Sequence, residues 1–178
     1  MNLSRILLVT DCDGTLLRDD KTISQKDLDA IARFRELGGS FTIATGRSLP
    51  TVSSILELLK PDLPVILYNG SMLYDPVKKT PVWTAEIPQS ARFLVEKSME
   101  RYGPELGVEV LTPEGLHVIQ FTPVIDEHLN GPLKAPYRLA SLPEVASLQW
   151  LKVMFALPAE EMEDLKAFLD SFGDLGAR

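Results

Sequence analysis

The stretch from Leu7 to Leu17, which reads LLVTDCDGTLL, constrains the fold of this chain most strongly. An apolar run ends abruptly at Asp11, and Asp13 and Gly14 follow at once. Side chains two residues apart on an extended chain point in the same direction, so the two carboxylates converge on one small volume. In an open α/β sheet, ligands bind just beyond the carboxyl ends of the strands. The stretch therefore predicts a buried strand that ends at a site with two acids.

Two carboxylates in one small volume repel each other unless a cation or a shared proton is present. Two acids and a backbone carbonyl are ligands that suit Mg²⁺. Asp-Gly between apolar residues is also a strong hairpin signal, so a plain turn at Asp13-Gly14 stays open on this stretch alone. A calcium-binding loop is excluded, because counting from Asp11 places Leu16 at the required glycine and Thr22 at the closing glutamate.

Composition narrows the class of protein. The chain has 178 residues, 45% hydrophobic and 24% charged, which is typical of a globular protein with one core or a core and a small second unit. The net charge of −7 argues against a nucleic-acid partner or an anionic membrane surface. Cys12 is the only cysteine, so we expect no intramolecular disulfide and a cytoplasmic location. No apolar run approaches the ~18 residues of a membrane span.

Three strands alternate with two helices in the first part of the chain, and each strand ends in a polar loop that contains glycine. The predicted strands are 5–10, 41–44 and 64–68, and the helices begin near Ser24 and Pro50. Strand–helix–strand units of this kind form a parallel sheet with right-handed connections. That order places three loops at one sheet edge: 11–15, 45–48 and 69–71. The agreement favours a binding site over a plain turn.

The pattern changes after Ser71, where shorter strands and helices no longer alternate regularly. A helix capped by Ser90 and a hairpin around Pro113-Glu114-Gly115 are among the predicted elements. The other predictions are strands at 72–74, 82–87, 137–140 and 148–157, a loop at 123–136, and helices near 143–146 and at 158–172. Because this segment is α+β, we expect two domains, 1–82 and 83–178.

Phosphoryl transfer requires a positioned nucleophile, neutralised charge on the transferred oxygens and a proton for the leaving group. Asp11, nearest the strand, suits the nucleophile, and Asp13 suits the acid–base role. Glycine lets backbone N–H groups approach a phosphate, and the loop that ends at Ser48 precedes a helix N-terminus. The residues expected to bind substrate are Gly14, Thr15, Thr45, Gly46, Arg47, Asn69 and Gly70.

Three motifs together resemble the Cof-type subgroup of the haloacid dehalogenase (HAD) superfamily of phosphohydrolases: Asp-Cys-Asp-Gly-Thr-Leu-Leu at 11–17, Thr-Gly-Arg-Ser at 45–48 and Tyr-Asn-Gly-Ser at 68–71. The resemblance implies an α/β, Rossmann-like parallel-sheet core with an inserted α+β cap. It implies that Asp11 is the nucleophile, that Asp13 is the acid–base residue, and that the Asp13 carbonyl joins Asp11 on Mg²⁺. It also implies that Thr45 is the second-motif residue and that the substrate is a small phosphorylated metabolite, such as a sugar phosphate.

The sequence departs from this family where the chain would return from the cap to the core. The family has a Lys there and then a strand that ends in Gly-Asp, with further acids for Mg²⁺. Gly173-Asp174 follows an amphipathic helix instead, and Ala177 and Arg178 stand where Asn and Asp would be needed. We interpret Gly173 as a helix stop. We therefore expect an incomplete chain that hydrolyses phosphate esters very slowly without a partner.

Other polar residues have structural interpretations. His117 and His128 lack a third ligand nearby, so we expect no zinc site, with His128 in a loop. Cys12 lies between two acids, so we expect a raised thiol pKa and a packing role. The lysines of the second half do not match the family's Lys in context, and we interpret them as solvated surface residues: Lys134, Lys152 and Lys166.

The leading hypothesis is a Mg²⁺-dependent phosphohydrolase that acts on small phosphate esters. The second is a non-catalytic phosphate-binding or interaction protein that has kept the strand–loop scaffold. A three-strand core leaves one edge of the first strand unpaired, which is a liability for solubility. The third hypothesis is therefore self-association through this sheet edge, with a second copy or a partner supplying strands.

Overall fold

The structure, a computed structural model, describes residues 2–130 and 135–176. The chain divides into two compact units, and the division lies between Ala85 and Glu86. The assignment of core and cap roles to the predicted domains, 1–82 and 83–178, stays a prediction. Within the described ranges, no helix combines the length and the apolar character needed to cross a bilayer.

The first unit contains a parallel strand pair and an antiparallel three-stranded sheet. Its elements are β1 (Leu7–Thr10), α1 (Gln25–Glu36), β2 (Ser40–Ile43), α2 (Leu49–Leu59), β3 (Val65–Leu67), β4 (Met72–Asp75) and β5 (Thr80–Thr84). β1 pairs with β2 in parallel, and Ala44 forms a parallel bridge to Ile66 of β3. The predicted parallel order of the first three strands is therefore confirmed.

Both helices of the first unit form where the sequence predicts them. The Ser24 hydroxyl caps α1 by accepting a hydrogen bond from the Asp27 N–H at 3.1 Å. Helix α2 has Pro50 in its first turn and is followed by the C-cap residue Lys60, which is in the left-handed conformation. The apolar face of α2 is buried, as the spacing of its residues predicts: Val52, Ile55, Leu56 and Leu59.

Strand β1 is exposed, contrary to the buried strand that its apolar run predicts. Leu7, Leu8 and Val9 are between 42% and 52% exposed. A strand becomes buried only when other elements cover its faces and edges. Among the described residues β2 is the only strand that pairs with β1, so the other edge has no strand partner there. The buried strand of the pair is β2, where Phe41 and Ile43 are inaccessible to solvent.

The antiparallel prediction for β4 and β5 is confirmed, but β5 starts and ends earlier than the predicted 82–87. The β4–β5 ladder begins at the pair Asp75–Thr80 and ends at Met72–Thr84. The Ala85 N–H still donates to the Ser71 carbonyl at 2.9 Å, and after Ala85 the chain leaves this ladder. The apolar residue Ile87 instead donates its N–H to the carbonyl of Trp150 at 2.7 Å, in the second unit.

The second unit is an antiparallel-dominated α+β unit with strand order β8-β7-β6-β9. Its elements are α3 (Gln89–Tyr102), β6 (Gly107–Thr112), β7 (Gly115–Gln120), α4 (Pro123–Asn130), β8 (Tyr137–Leu139), α5 (Leu142–Val145), β9 (Lys152–Ala156) and α6 (Met162–Asp170). Val108 and Val110 of β6 pack with Val95 of α3, Leu165 of α6 and Trp150 in the core of this unit. The predicted hairpin of β6 and β7 is confirmed.

Three predictions in the second unit are wrong in detail. Helix α3 is capped at Pro88, whose carbonyl accepts from the Ala91 N–H, and not at Ser90. The predicted loop at 123–136 contains helix α4, which follows a Thr122 cap, and residues 131–134 lie outside the described ranges. The last strand begins at Lys152, since Trp150 and Leu151 turn to pack in the core.

Candidate active site

The loops that follow β1, β2 and β3 come together in the first unit, as the parallel order predicts. The Tyr68 N–H donates to the Arg47 carbonyl at 3.1 Å, and the Asn69 N–H donates to the Thr45 carbonyl at 3.2 Å. These bonds join the second loop to the third. The Arg47 side chain joins the second loop to the first, because it binds Asp13. One site therefore contains residues from all three loops.

The first loop is a tight turn that closes on Cys12. The Cys12 carbonyl accepts hydrogen bonds from the N–H groups of Leu16 and Leu17 at 3.1 and 2.8 Å. Gly14 has a φ of +74°, a left-handed conformation that a glycine adopts without strain. Because β1 pairs in parallel with β2, Asp13-Gly14 does not close a two-stranded hairpin. The turn presents exposed acids on either side of Cys12.

Asp13 is bound by two cations. The Arg47 guanidinium donates from Nε to Oδ2 at 2.7 Å and from Nη2 to Oδ1 at 2.8 Å. The Lys21 ammonium lies 3.0 Å from Oδ1. The hydrogen bonds from Arg47 lower the pKa of Asp13 to about 2, against a smaller opposing effect of burial. Asp13 is therefore an anion at neutral pH in this structure.

Lys21 is the site residue that sequence reasoning missed. It lies in a turn in which the Lys21 N–H donates to the Arg18 carbonyl and the Arg18 N–H donates to the Thr22 carbonyl, both at 2.9 Å. This turn directs the side chain back to Asp13. The sequence around a single lysine in a polar loop does not indicate in which direction its side chain points. Only the turn-forming run at 19–22 could have indicated that the loop folds back.

Asp11 is exposed, and its carboxylate makes no hydrogen bond or ion pair within the ranges that the structure describes. Its backbone carbonyl accepts from the Thr10 hydroxyl at 3.1 Å, which anchors the end of β1. The side chain is consequently available to a ligand. Of the two acids in the motif, Asp11 presents an unpaired carboxylate and Asp13 a paired one.

Cys12 is fully buried, as its predicted packing role requires. Burial is the main cause that raises the pKa of its thiol, and the carboxylates of Asp11 and Asp13 add only smaller effects. The predicted direction is therefore correct, while the predicted cause is secondary. A buried neutral thiol is a poor nucleophile.

The second loop uses much of its hydrogen-bonding capacity internally. The buried Thr45 hydroxyl accepts from the Arg47 N–H at 3.2 Å, and the Leu49 N–H donates to the Tyr68 hydroxyl at 3.2 Å. Two backbone N–H groups near the start of α2, those of Arg47 and Leu49, are thus already engaged. The Arg47 side chain extends from this loop to Asp13.

The remaining predicted substrate-binding residues lie on the open side of the loops. Thr15 is exposed in the first loop. Asn69 and Gly70 are exposed in the third loop, with φ values of 57° and 102°. Their exposure leaves them available to a ligand. Their binding roles, like that of Gly46, stay predictions.

The residues near the first loop fit Mg²⁺ in kind but offer few ligands. Mg²⁺ prefers oxygen ligands in octahedral geometry, and the Asp11 carboxylate and the Asp13 carbonyl are of that type. The Asp13 carboxylate is engaged by Arg47 and Lys21. Among the described residues there is no cluster of three or more His, Cys, Asp or Glu side chains that could hold a metal ion.

The Gly173-Asp174 segment behaves as a helix stop. Gly173 has a φ of +74°, and its N–H donates to the Asp170 carbonyl at 3.1 Å. The Asp174 carboxylate accepts from the Gly176 N–H at 2.8 Å, within a turn. Ala177 and Arg178 lie outside the described residues.

The two histidines have separate partners in the second unit. His117 Nε2 lies 3.2 Å from the Thr112 hydroxyl, and burial lowers the pKa of its ring. His128 lies on α4, not in the predicted loop, and its Nδ1 is 3.1 Å from Oε1 of the fully buried Glu109. The two rings do not share a metal cluster among the described residues.

Of the three lysines interpreted as surface residues, Lys166 is exposed and Lys134 lies outside the described ranges. Lys152 is an exception, because it is only partly exposed and its burial lowers the pKa of its ammonium group. It stands beside Glu109, whose charge acts in the opposite direction on that pKa.

A family model described as haloacid dehalogenase-like hydrolase matches residues 8–174. The chain belongs to this family. Among curated members, the pyridoxal phosphate phosphatase YbhA of Escherichia coli strain K12 is 28% identical over 91% of this chain. The 5-amino-6-(5-phospho-D-ribitylamino)uracil phosphatase YitU of Bacillus subtilis strain 168 is 36% identical over 43% of this chain.

The HAD fold is also seen in solved structures. BT1666 from Bacteroides thetaiotaomicron, a phosphatase of the HAD superfamily, matches 93% of this chain with a TM-score of 0.75 and 22% identity. This similarity confirms the predicted α/β class with a parallel sheet. The chain spans 61% of the length of YbhA, 28% of YitU and 60% of the BT1666 chain.

Proposed function

We propose that this chain acts as a HAD-type phosphatase that hydrolyses small phosphate esters through an aspartyl-phosphate on Asp11. The observation that carries the proposal is the arrangement of the first two loops. An unpaired, exposed carboxylate at the end of β1 lies two residues from an acid that Arg47 holds from the second loop. In this proposal, Asp11, Asp13 and Arg47 serve as nucleophile, acid–base group and phosphate-binding cation at one sheet edge.

Asp11 supplies the nucleophile in this proposal. Its carboxylate oxygen forms a bond to phosphorus as the bond from phosphorus to the ester oxygen breaks, and the leaving oxygen takes a proton from Asp13. Water then attacks the phosphorus of the aspartyl-phosphate and gives a proton to Asp13. Inorganic phosphate is released and the Asp11 carboxylate is restored.

Asp13 can donate a proton only if its surroundings differ when substrate is bound. In this structure Arg47 keeps the pKa of Asp13 at about 2, so the carboxyl is ionised at neutral pH. A phosphate that takes over the Arg47 guanidinium would remove the main cause of that low pKa. The proposal therefore includes Arg47 as a phosphate ligand.

Mg²⁺ is the cofactor we propose, held by the Asp11 carboxylate and the Asp13 carbonyl. When bound, it would reduce the repulsion between the nucleophile and the anionic phosphate. Since the described residues supply no third acid to the cluster, we expect weak binding of the ion.

The proposed substrates are small phosphorylated metabolites. Support comes from the names of two relatives, which act on pyridoxal phosphate and on 5-amino-6-(5-phospho-D-ribitylamino)uracil. The net charge of −7 disfavours nucleic acid as an alternative partner. A cytoplasmic location stays a prediction.

The test is hydrolysis of p-nitrophenyl phosphate with and without Mg²⁺. We expect slow, Mg²⁺-dependent release of p-nitrophenol that Asp11→Asn reduces to the uncatalysed background, together with a phosphorylated Asp11 detectable by mass spectrometry after a rapid quench. Asp19→Asn is the matched control, because Asp19 is exposed in the same loop region and loses the same charge. Equal rates for Asp11→Asn and the wild-type chain would contradict the proposal.

A second candidate function is phosphate binding without turnover. The small number of acids around Asp11 among the described residues favours it. In the same assay, this function predicts no p-nitrophenol above background and no phosphorylated Asp11, while inorganic phosphate still binds.

A further inference from the structure

Two cations from different loops of the first unit converge on one carboxylate. Arg47 holds both oxygens of Asp13, and Lys21 holds Oδ1. The Arg47 side chain is only 10% exposed, whereas the side chains of Lys21 and Asp13 are 38% and 43% exposed. In this cluster the Arg47 guanidinium is therefore packed against the protein, whereas Lys21 and Asp13 are open to solvent.

The position of Arg47 does not depend on Asp13 alone. Its Nη1 donates to the Thr51 carbonyl at 3.2 Å, and its backbone carbonyl accepts from the Tyr68 N–H. These contacts would keep the guanidinium in place if the Asp13 carboxylate turned away. Lys21 is likewise directed to the site by its backbone turn and a φ of +63°.

We propose that Lys21 is a phosphate-binding residue, and that in the free protein the Asp13 carboxylate occupies the place between Lys21 and Arg47 that phosphate oxygens take. A guanidinium binds carboxylate and phosphate in the same bidentate geometry, and an ammonium group binds either as a point charge. Phosphate binding then exchanges one anion for another and frees Asp13 from both cations. The inference rests on the proposed function, and it adds a residue that the sequence motifs do not assign.

The test measures the affinity for inorganic phosphate by isothermal titration calorimetry, with and without Mg²⁺. Lys21→Asn is the preferred variant, because Asn tolerates the left-handed conformation of Lys21. We expect binding about threefold to tenfold weaker than in the wild-type chain, and recovery of most of the affinity in Lys21→Arg.

Lys79→Asn is the matched control. Lys79 is an exposed lysine of the same unit with a φ of +56°, so the change removes the same charge at the same backbone conformation. We expect no change in phosphate affinity for this variant. An equal loss in Lys79→Asn and Lys21→Asn would show a general charge effect and would overturn the assignment.

A second comparison separates direct contact from a role through Asp13. If Lys21 contacts phosphate, Lys21→Asn weakens phosphate binding in an Asp13→Asn background by at least as much as in the wild-type chain. If Lys21 only positions Asp13, its effect vanishes in that background, and the proposal fails.

The outcomes also distinguish this inference from the proposed phosphatase function. Equal phosphate affinity in the wild-type chain and in Lys21→Asn overturns the role of Lys21, while hydrolysis that depends on Asp11 still supports the phosphatase. Absence of phosphate binding by the wild-type chain overturns the role of Lys21 whatever the hydrolysis assay shows.

Discussion

Asp13 and Arg47 show how one side-chain pair lowers the pKa of an acid in the candidate site. The pair spans 34 residues of sequence and joins two loops. Its bidentate geometry gives it direction as well as attraction, which a lysine at position 47 could not reproduce. In the free protein, the anionic Asp13 carboxylate is therefore already bound to the cations of the candidate site.

Gly14 is a second residue on which the first loop depends. At a φ of +74°, an added Cβ would meet no atom within 4 Å, so Gly14→Ala is expected to introduce backbone strain without a clash. We expect a loss of about 1–2 kcal/mol in the free energy of unfolding. Thermal and urea unfolding of the purified chain measure it.

Thr15→Ala is the control for Gly14→Ala, since Thr15 is the exposed neighbouring residue. We expect it to change the free energy of unfolding by less than about 0.5 kcal/mol. A Gly14→Ala chain as stable as Thr15→Ala would show that the loop accommodates another conformation at position 14.

At the scale of elements, the sheet of the second unit contains a buried acid whose partner comes from a helix. Glu109 of β6 is inaccessible to solvent, and His128 of α4 binds its Oε1, while its Oε2 has no hydrogen-bond partner among the described residues. Lys152 of β9 adds a further cation beside it. Burying a carboxylate without a partner costs free energy. Because His128 supplies a partner for Glu109, α4 stabilises the unit through this polar contact as well as through packing.

This arrangement predicts a pH dependence of stability. The hydrogen bond from His128 to Glu109 raises the pKa of His128 above its ordinary value near 6.5. The folded state therefore binds the proton more tightly than the unfolded chain, so the contribution is fully present below about pH 6.5 and is lost as pH rises through the folded pKa. We expect the melting temperature of the wild-type chain to fall between about pH 6 and pH 8, and that of His128→Gln to fall less.

His117→Gln is the control for the histidine prediction. Burial lowers the pKa of His117, so its contribution to stability changes with pH in the opposite direction to that of His128. Replacing His117 therefore leaves the pH effect of His128 in place. An identical pH profile in the wild-type chain and His128→Gln would contradict the role of the Glu109–His128 pair.

The exposed strand β1 supports the hypothesis of self-association through a sheet edge. Its apolar side chains are exposed, and one of its edges has no strand partner among the described residues, so another strand can add there. We expect sedimentation velocity to show oligomers whose fraction rises with concentration, and Leu8→Lys to shift the chain toward monomer.

Leu58→Lys is the matched control, because Leu58 is an exposed leucine on a helix, α2, and not on strand β1. It should leave the oligomer fraction unchanged. A wild-type chain that stays monomeric at every concentration, or an equal effect of both variants, would be evidence against association at this edge.

At the scale of the whole molecule, the chain is a HAD-family protein in two units whose sheets have different topologies. The first unit alternates strands and helices from β1 to β3, and the candidate site lies at the carboxyl end of these strands. The second unit packs helices α3 and α6 with a mixed sheet around Trp150.

Much of this architecture could be predicted because it depends on local patterns. The Ser24 cap, the apolar face of α2 and the glycine-bearing loops each follow from the spacing of a few neighbouring residues. The same motifs were enough to indicate the HAD family. The helix at Pro123–Asn130 was missed although Thr122 and Pro123 formed a valid start, since its neighbours resembled a loop.

Other features depended on residues that are distant in sequence. The exposure of β1 depends on which strands pair with it. The apolar run at β1 does not indicate how many strands will pair with it. The low pKa of Asp13 follows from Arg47 and Lys21, whose side chains reach it only once two loops have folded. Local spacing thus predicted the loops that follow the strands, whereas the folding of distant loops and strands against each other set the pKa of Asp13 and the exposure of β1.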